Sequence, residues 1–177
     1  RHELTVSPKN LSSFNNNANN PSYSIYQESE KRLYIPKNLG LQRFGVPDKD
    51  KLKEGLDINL KFNGKLRENQ VKPVEAYLKA AKDDTMCGGL INLPCGFGKT
   101  CCALYLICAL KKKALVIVHK EFLLNQWVER IKQFIPDARI GRIQAKTIDI
   151  HNKDIVIGML QSISMKDYPK EVFEDFG

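Results

Sequence analysis

The chain has 177 residues, of which 42% are hydrophobic, enough for one well-buried core and a small appendage. Its 28 lysines and arginines against 20 acidic residues leave a net charge of +8, a balance that favours an anionic partner such as nucleic acid but fits many other proteins. Five cysteines (Cys87, Cys95, Cys101, Cys102, Cys108) crowd together without Cys-x-x-Cys spacing, so neither a zinc site nor a disulfide framework fits; with no run of about 18 apolar residues and no signal-peptide pattern, a soluble intracellular protein without a membrane partner is expected.

Residues 1 to about 20 end in Asn15-Asn16-Asn17-Ala18-Asn19-Asn20-Pro21, a tract with little to bury that is expected to be a linker or mobile loop. From Tyr23 to Pro36, two runs with aromatic and β-branched residues flank the polar Gln27 to Lys31, the pattern of a β-hairpin. Its Tyr23, Tyr26 and Tyr34 are of a kind that stacks bases, but burial in a small sheet is the commoner outcome. Lys37 to Lys61 reads as a loop-rich connection. Residues 1–60 are therefore expected to form a small accessory region with a hairpin, and residues 61–177 a separate domain.

Val71 to Lys82 places Val74, Tyr77, Leu78 and Ala81 at helical spacing. Gly89-Leu90-Ile91-Asn92 reads as a strand, and Cys101 to Leu110 as a helix closed by Lys111-Lys112-Lys113, whose cations suit the C-terminal dipole. Ala114 to Val118 is a continuous apolar strand of the kind a sheet covered on both faces buries. Glu121 to Phe134 follows as a helix with Leu124, Trp127, Val128 and Ile131 on one face. Ile140 to Ile143 is a short strand, Asp154 to Gly158 another buried one, and Gln161 onward returns to helix or loop. This alternation predicts an α/β fold, an open parallel sheet with flanking helices, whose ligand sits at the carboxyl ends of the strands.

Between the strand at Gly89 and the helix at Cys101 lies Leu93-Pro94-Cys95-Gly96-Phe97-Gly98-Lys99-Thr100, the strand, glycine turn, Lys-Thr and helix context of a phosphate-binding loop. Gly96 and Gly98 can take positive φ and let backbone N–H groups converge on an anion, with the helix N-terminus adding partial positive charge. Lys99 then pairs with β- and γ-phosphate oxygens, and the Thr100 hydroxyl ligates Mg²⁺. An ordinary strand-to-helix turn is the competing reading, but a lysine in a first helical turn opposes the dipole unless an anion is there. Cys95 is expected to be open to solvent and shielded when a polyphosphate binds; a small apolar residue tucked beneath the loop is its competing role.

In order along the chain, four segments carry a resemblance: Leu66-Arg67-Glu68-Asn69-Gln70; Gly96 to Thr100; Val116-Ile117-Val118-His119-Lys120 with Leu123-Leu124-Asn125-Gln126-Trp127; and Asp154 to Ser162. Together they resemble the first RecA-like domain of superfamily 2 helicases, in particular the branch with the translocase subunit of transcription factor IIH and related helicases of large DNA viruses. The resemblance covers about residues 62 to 177. It implies ATP and Mg²⁺ as cofactors, held by Arg67, Gln70, Pro94, Cys95, Gly96, Phe97, Gly98, Lys99 and Thr100, with Lys99 and Thr100 catalytic. Gln70 resembles the adenine-reading glutamine, whose amide bonds the exocyclic amine and N7; capping of the following helix is its competing role. DNA or RNA contact is implied for His119, Lys120, Gln126, Gln161 and Ser162, with Lys120 the better phosphate donor and Trp127 in the core. The implied partners are nucleic acid and transcription or replication machinery, in nucleus, cytoplasm, viral factory or virion.

The sequence departs from that pattern in three ways. Leu93 stands where a full Walker A motif has glycine. Met159 stands where the family's Thr-x-Gln-Ser segment has threonine, which removes a hydroxyl from phosphate contact. No Asp-Glu-x-x box follows on a neighbouring strand to orient Mg²⁺ and water, and no second RecA-like domain is present. An incomplete N-terminal fragment of an ATP-dependent helicase or translocase is therefore expected, able to bind nucleotide but with negligible ATPase activity alone. Another phosphate-loop NTPase or kinase, or a catalytically silent nucleic-acid-binding module, are the alternatives.

Overall fold

The computed structural model describes residues 2–7 and 22–177, and the asparagine tract lies outside them. The chain divides into two compact units, one of the residues up to Lys49 together with Asp83–Cys87, the other of Asp50–Lys82 and Gly88–Gly177.

In the smaller unit β1 (Thr5–Val6) pairs antiparallel with β2 (Tyr23–Ser24), and β3 (Gln27–Ser29) with β4 (Arg32–Tyr34). A hairpin is present, but its turn is Glu30-Lys31, because Gln27, Glu28 and Ser29 pair in register with Tyr34, Leu33 and Arg32. All six residues are exposed, so backbone bonding and not apolar patterning sets this ladder, and polar residues serve it equally well. Tyr23 and Tyr34 keep 55% and 51% of their surface exposed, which corrects the expectation of burial for these two, while Tyr26 is half-buried. Lys37 opens not a loop but α1 (Lys37–Phe44), entered from Pro36 and left through Gly45 at φ 77°. Only Leu41 of this helix is buried, too little apolar periodicity to announce it.

The larger unit holds α2 (Glu68–Ala81), α3 (Lys99–Leu110), β5 (Ala114–Val118), α4 (Glu121–Phe134), β6 (Ile140–Gln144), β7 (Thr147–Asp149), β8 (Ile155–Met159) and α5 (Leu160–Ser164). Its sheet has the order β5-β8-β6-β7, parallel across the first three strands and antiparallel at the β6–β7 hairpin. β8 is inserted between β5 and β6, pairing Ala114 with Ile155 on one side and Ile140 with the same residue on the other. Ile155 to Gly158 are all buried, as a continuous apolar run in a central strand requires. Ile155 and Ile157 pack with Leu104 and Cys108 of α3 and Leu124 and Ile131 of α4. Val156 lies in a separate cluster with Ile143 and Ile150, against which Tyr168, Phe173 and Phe176 pack. Both faces of the sheet are thereby covered. Trp127 packs, half-buried, against the first cluster, as its helical spacing indicates.

α3 is apolar nearly all round because it is sandwiched: Leu104 and Cys108 join the sheet-side core, while Cys102 and Leu106 meet Val74, Tyr77 and Leu78 of α2. The strand expected at Gly89–Asn92 is not part of the sheet. Ile91 and Leu93 pack against the Val74–Cys102–Leu106 cluster, but Leu90 is 94% exposed. Among the described residues no strand pairs with this segment, and an apolar run without a ladder partner stays irregular. Residues 50–60, expected with the accessory region, lie in the larger unit. There Ile58 N–H donates to the Lys111 carbonyl (2.9 Å), and Asp57 forms a β-bridge and an ion pair with Lys112 (2.9 Å).

The lysine run after α3 does more than answer the helix dipole. Lys111 ends the helix in a left-handed conformation (φ 57°), and Lys113 is buried, its Nζ donating to the Ile150 carbonyl (2.9 Å) and pairing with Asp175 (3.1 Å). Asp154, at the entry to β8, accepts from both Nε (3.0 Å) and Nη2 (2.6 Å) of Arg139 and from its backbone N–H (2.8 Å). Those hydrogen bonds hold the Asp154 carboxyl below its ordinary value against the opposing effect of burial. No helix of the described residues is long and apolar enough to cross a membrane.

Candidate functional site

The glycine turn is built where α3 begins. Gly96 (φ 76°) and Gly98 (φ 85°) both occupy the left-handed region, and Gly98 caps α3 there, which swings the chain from loop into helix. The first-turn N–H groups of α3 have no partner within the helix and carry its positive dipole end. A Cβ built on Gly96 meets nothing within 4 Å, so the turn is open on that side. Phe97 N–H closes the turn onto the Pro94 carbonyl (3.4 Å), and the exposed Lys99 folds back so that its Nζ donates to the carbonyls of Leu93 and Pro94 (both 2.9 Å). Thr100 lies half-buried beside it, and Cys95 is exposed.

Gln70 ties α2 to this turn. Its side chain is 2% exposed, its Oε1 accepts the backbone N–H of Arg67 (2.9 Å), and its Nε2 donates to the Phe97 carbonyl (2.7 Å). A Cβ on Gly98 would stand 2.6 Å from that Nε2, so only glycine admits the approach. Gln70 thus caps α2 at the position its sequence spacing suggested and braces the loop with the other end of the same amide.

A cleft of about 500 Å³ brings together Arg67, Gln70, Gly96, Gly98, Lys99 and Thr100, whereas Pro94, Cys95 and Phe97, expected with them, do not line it. It also takes in Lys65, Cys101, Arg130 and Phe134, which sequence reasoning missed. Arg130 had a legible signal, since it stands four residues after Gln126 on the same face of α4; Lys65, two residues before Arg67 in an extended segment, had little. Gln126, expected to contact nucleic acid, lines this cleft as well. No carboxylate lines it, so its charge is wholly cationic, as a polyanion would require. Burial pushes the Cys101 thiol up, opposed by Arg67 and Arg130, and pushes that of Cys108 up to about 11.

His119 and Lys120 follow β5, and Gln161 and Ser162 open α5 directly after β8; since β5 and β8 are parallel neighbours, the four residues meet at one rim. Gln161 Nε2 donates to the His119 carbonyl (2.9 Å), which joins the two strand ends. Ser162 Oγ accepts the backbone N–H of Ala145 (2.8 Å) in the β6–β7 turn, and Gln144 Nε2 donates to Glu121 (3.3 Å). The carboxyl ends of three parallel strands thus share one bonded rim, with His119 and Lys120 exposed on it.

A largely parallel sheet between helices, with a glycine turn opening one of them and paired strand-end loops, defines a RecA-like α/β unit. A family model described as "Type III restriction enzyme, res subunit" matches residues 63–176, and the chain belongs to this family, within the superfamily 2 helicases and translocases. The chain is similar to a candidate ATP-dependent RNA helicase of Acanthamoeba polyphaga mimivirus, at 32% identity over the whole of this chain and 34% of that protein. It is similar to a candidate helicase of Invertebrate iridescent virus 6 (31% identical, 68% of this chain and 28% of that protein). It is also similar to the DNA repair helicase/translocase XPB-R of Trypanosoma brucei brucei (34% identical, 49% of this chain and 11% of that protein). The chain therefore spans about a third or less of the length of these relatives.

Proposed function

We propose that the larger unit binds ATP with Mg²⁺ in the cleft between α2, α3 and α4, and the sugar-phosphate backbone of nucleic acid at the strand-end rim, as the N-terminal part of an intracellular ATP-dependent helicase or translocase. The observation that carries the reading is the cleft itself: it converges Lys99, Arg67, Lys65 and Arg130 on an open glycine turn at a helix N-terminus and holds no carboxylate to neutralise them. The donor set fits a nucleoside triphosphate. Gly96 and Gly98 leave room for a phosphate to approach backbone N–H groups, Lys99 trades two loop carbonyls for phosphate oxygens, and a volume near 500 Å³ lies within the range of small-molecule sites. Mg²⁺, when bound, neutralises polyphosphate charge, and Thr100 is the residue that would hold it. Gln70 retains one amide hydrogen and one lone pair beyond those it uses, but at 2% exposure it braces the loop in this conformation, and meeting adenine requires the loop to shift. With no carboxylate in the cleft to position water, the chain by itself is suited to binding and not to turnover.

Titration of a fluorescent ATP analogue with Mg²⁺ into wild type and Lys99→Ala tests the reading. Saturable binding that weakens about tenfold or more in the variant is expected for loss of a charge-assisted phosphate contact. Equal affinities would remove the phosphate loop from the account.

A further inference from the structure

We propose that the β6–β7 hairpin is a phosphate-contacting element of the rim, with Lys146 as its cation, and that Ser162 is a positioning residue which holds that hairpin in place. The inference rests on the nucleic-acid reading of the rim given above and adds a residue and a division of roles to it.

The turn of this hairpin has two residues, Ala145 and Lys146, and Ala145 sits at φ 51°, a region that side chains other than glycine's disfavour. Such a conformation persists where its surroundings over-determine it. Here they do: the Ala145 N–H is held by Ser162 Oγ (2.8 Å), its carbonyl accepts from Lys166 Nζ, and the neighbouring Gln144 is tied to Glu121. Ser162 is itself fixed, for Tyr168 Oη donates to its carbonyl (3.1 Å). The product of these contacts is a rigid turn that presents Lys146, which is exposed.

Charge pairing across the sheet tells the two ends apart. Four of the five cations that the described structure places at the entry to a parallel strand are neutralised, Lys112 by Asp57, Lys113 by Asp175, Arg139 by Asp154 and Lys153 by Asp149, with the helix-ending Lys111 the exception. At the carboxyl ends, Lys120 and Lys146 have no carboxylate partner among the described residues. A rim that leaves Lys120 and Lys146 without a carboxylate, while the opposite end pairs all but Lys111 of its cations, has the charge pattern of a surface for phosphates. The Lys146 ammonium is a point donor suited to a backbone phosphate and indifferent to base identity.

The test is fluorescence anisotropy with labelled oligo(dT) and oligo(rU) of about 20 nucleotides, longer than a single-domain footprint, across a series of salt concentrations. Lys146→Ala is expected to weaken binding about two- to fivefold and to lower the slope of log K against log salt by about 0.7 on both oligonucleotides, and Lys146→Arg to restore both. Ser162→Ala is expected to weaken binding in the wild-type background and to add nothing to Lys146→Ala, because a residue that acts through the hairpin is not additive with it. Wild-type affinity and slope in Lys146→Ala, with a loss in Lys120→Ala, would overturn the hairpin's role and leave the rim reading standing. No loss in either lysine variant would remove the rim reading and this inference with it. Additive losses from Ser162 and Lys146 would make Ser162 a direct contact, and a loss on one oligonucleotide only would assign Lys146 to sugar or base; both overturn the proposal.

Discussion

Cys95 offers the sharpest view of the loop at the level of single residues. Sequence placed it in the phosphate loop, and the structure shows it exposed while Cys108 is buried with its thiol pushed up to about 11. On the proposed reading a bound polyphosphate covers the loop, so brief iodoacetamide treatment should label Cys95 well before Cys108, and ATP with Mg²⁺ should slow the labelling of Cys95; peptide mass spectrometry that finds equal Cys95 labelling with and without nucleotide would contradict this. Asp154 governs a different property. Its carboxyl is held low chiefly by hydrogen bonds from Arg139, so its contribution to stability is complete above the unfolded carboxyl value near 3.9 and is lost as pH falls through the folded value. Asp154→Asn should therefore cost about 1–3 kcal/mol at pH 7 and converge towards wild type below about pH 4, measured by urea unfolding at both pH values. A difference independent of pH would mean that the ion pair is not what Asp154 contributes.

Among the elements, what could be read from sequence was what packing makes periodic. α2, α4, β5, β6 and β8 each carry apolar residues at the spacing of a buried face, and each is present within a few residues of its expected span. The remainder lacked that signal for physical reasons. α1 buries one leucine, β3 buries nothing, and β7 is a short edge strand whose Thr147 and Ile148 are exposed, so no hydrophobic pattern marks them. The segment at Gly89–Asn92 fails in the opposite sense: its composition is that of a strand, but pairing is a property of neighbours and no described strand pairs with it. A comparison of two apolar residues checks this assignment. Leu90→Ser should change stability by no more than about 0.5 kcal/mol, whereas Ile157→Ala, in the buried centre of β8, should cost about 2–5 kcal/mol by denaturant midpoint. A cost for Leu90→Ser comparable to that of Ile157→Ala would place Leu90 in a core.

At the scale of the whole molecule the two candidate sites differed in how far sequence could reach them. The glycine turn is a local device, in which five consecutive residues carry the geometry and the cation, and Gly96 to Thr100 were legible for that reason. Arg67 and Gln70 were legible through their resemblance to a family motif, while the bracing of Phe97 by Gln70 depends on how α2 packs against α3 and had no signal of its own. The rim depends on topology. Ser162 reaches Ala145 only because β8 inserts between β5 and β6, and no local pattern encodes that order. Gln126 lines the cleft for a similar reason, since α4 crosses towards α3. Nucleotide bound in the cleft at the head of α3 would shield the backbone amides there. Hydrogen exchange of the chain with and without ATP and Mg²⁺ should show slowed exchange in peptides covering residues 94–101 and 65–70 with no change over 27–34; unchanged exchange at 94–101, or slowing centred elsewhere, would rule the cleft out as the nucleotide site.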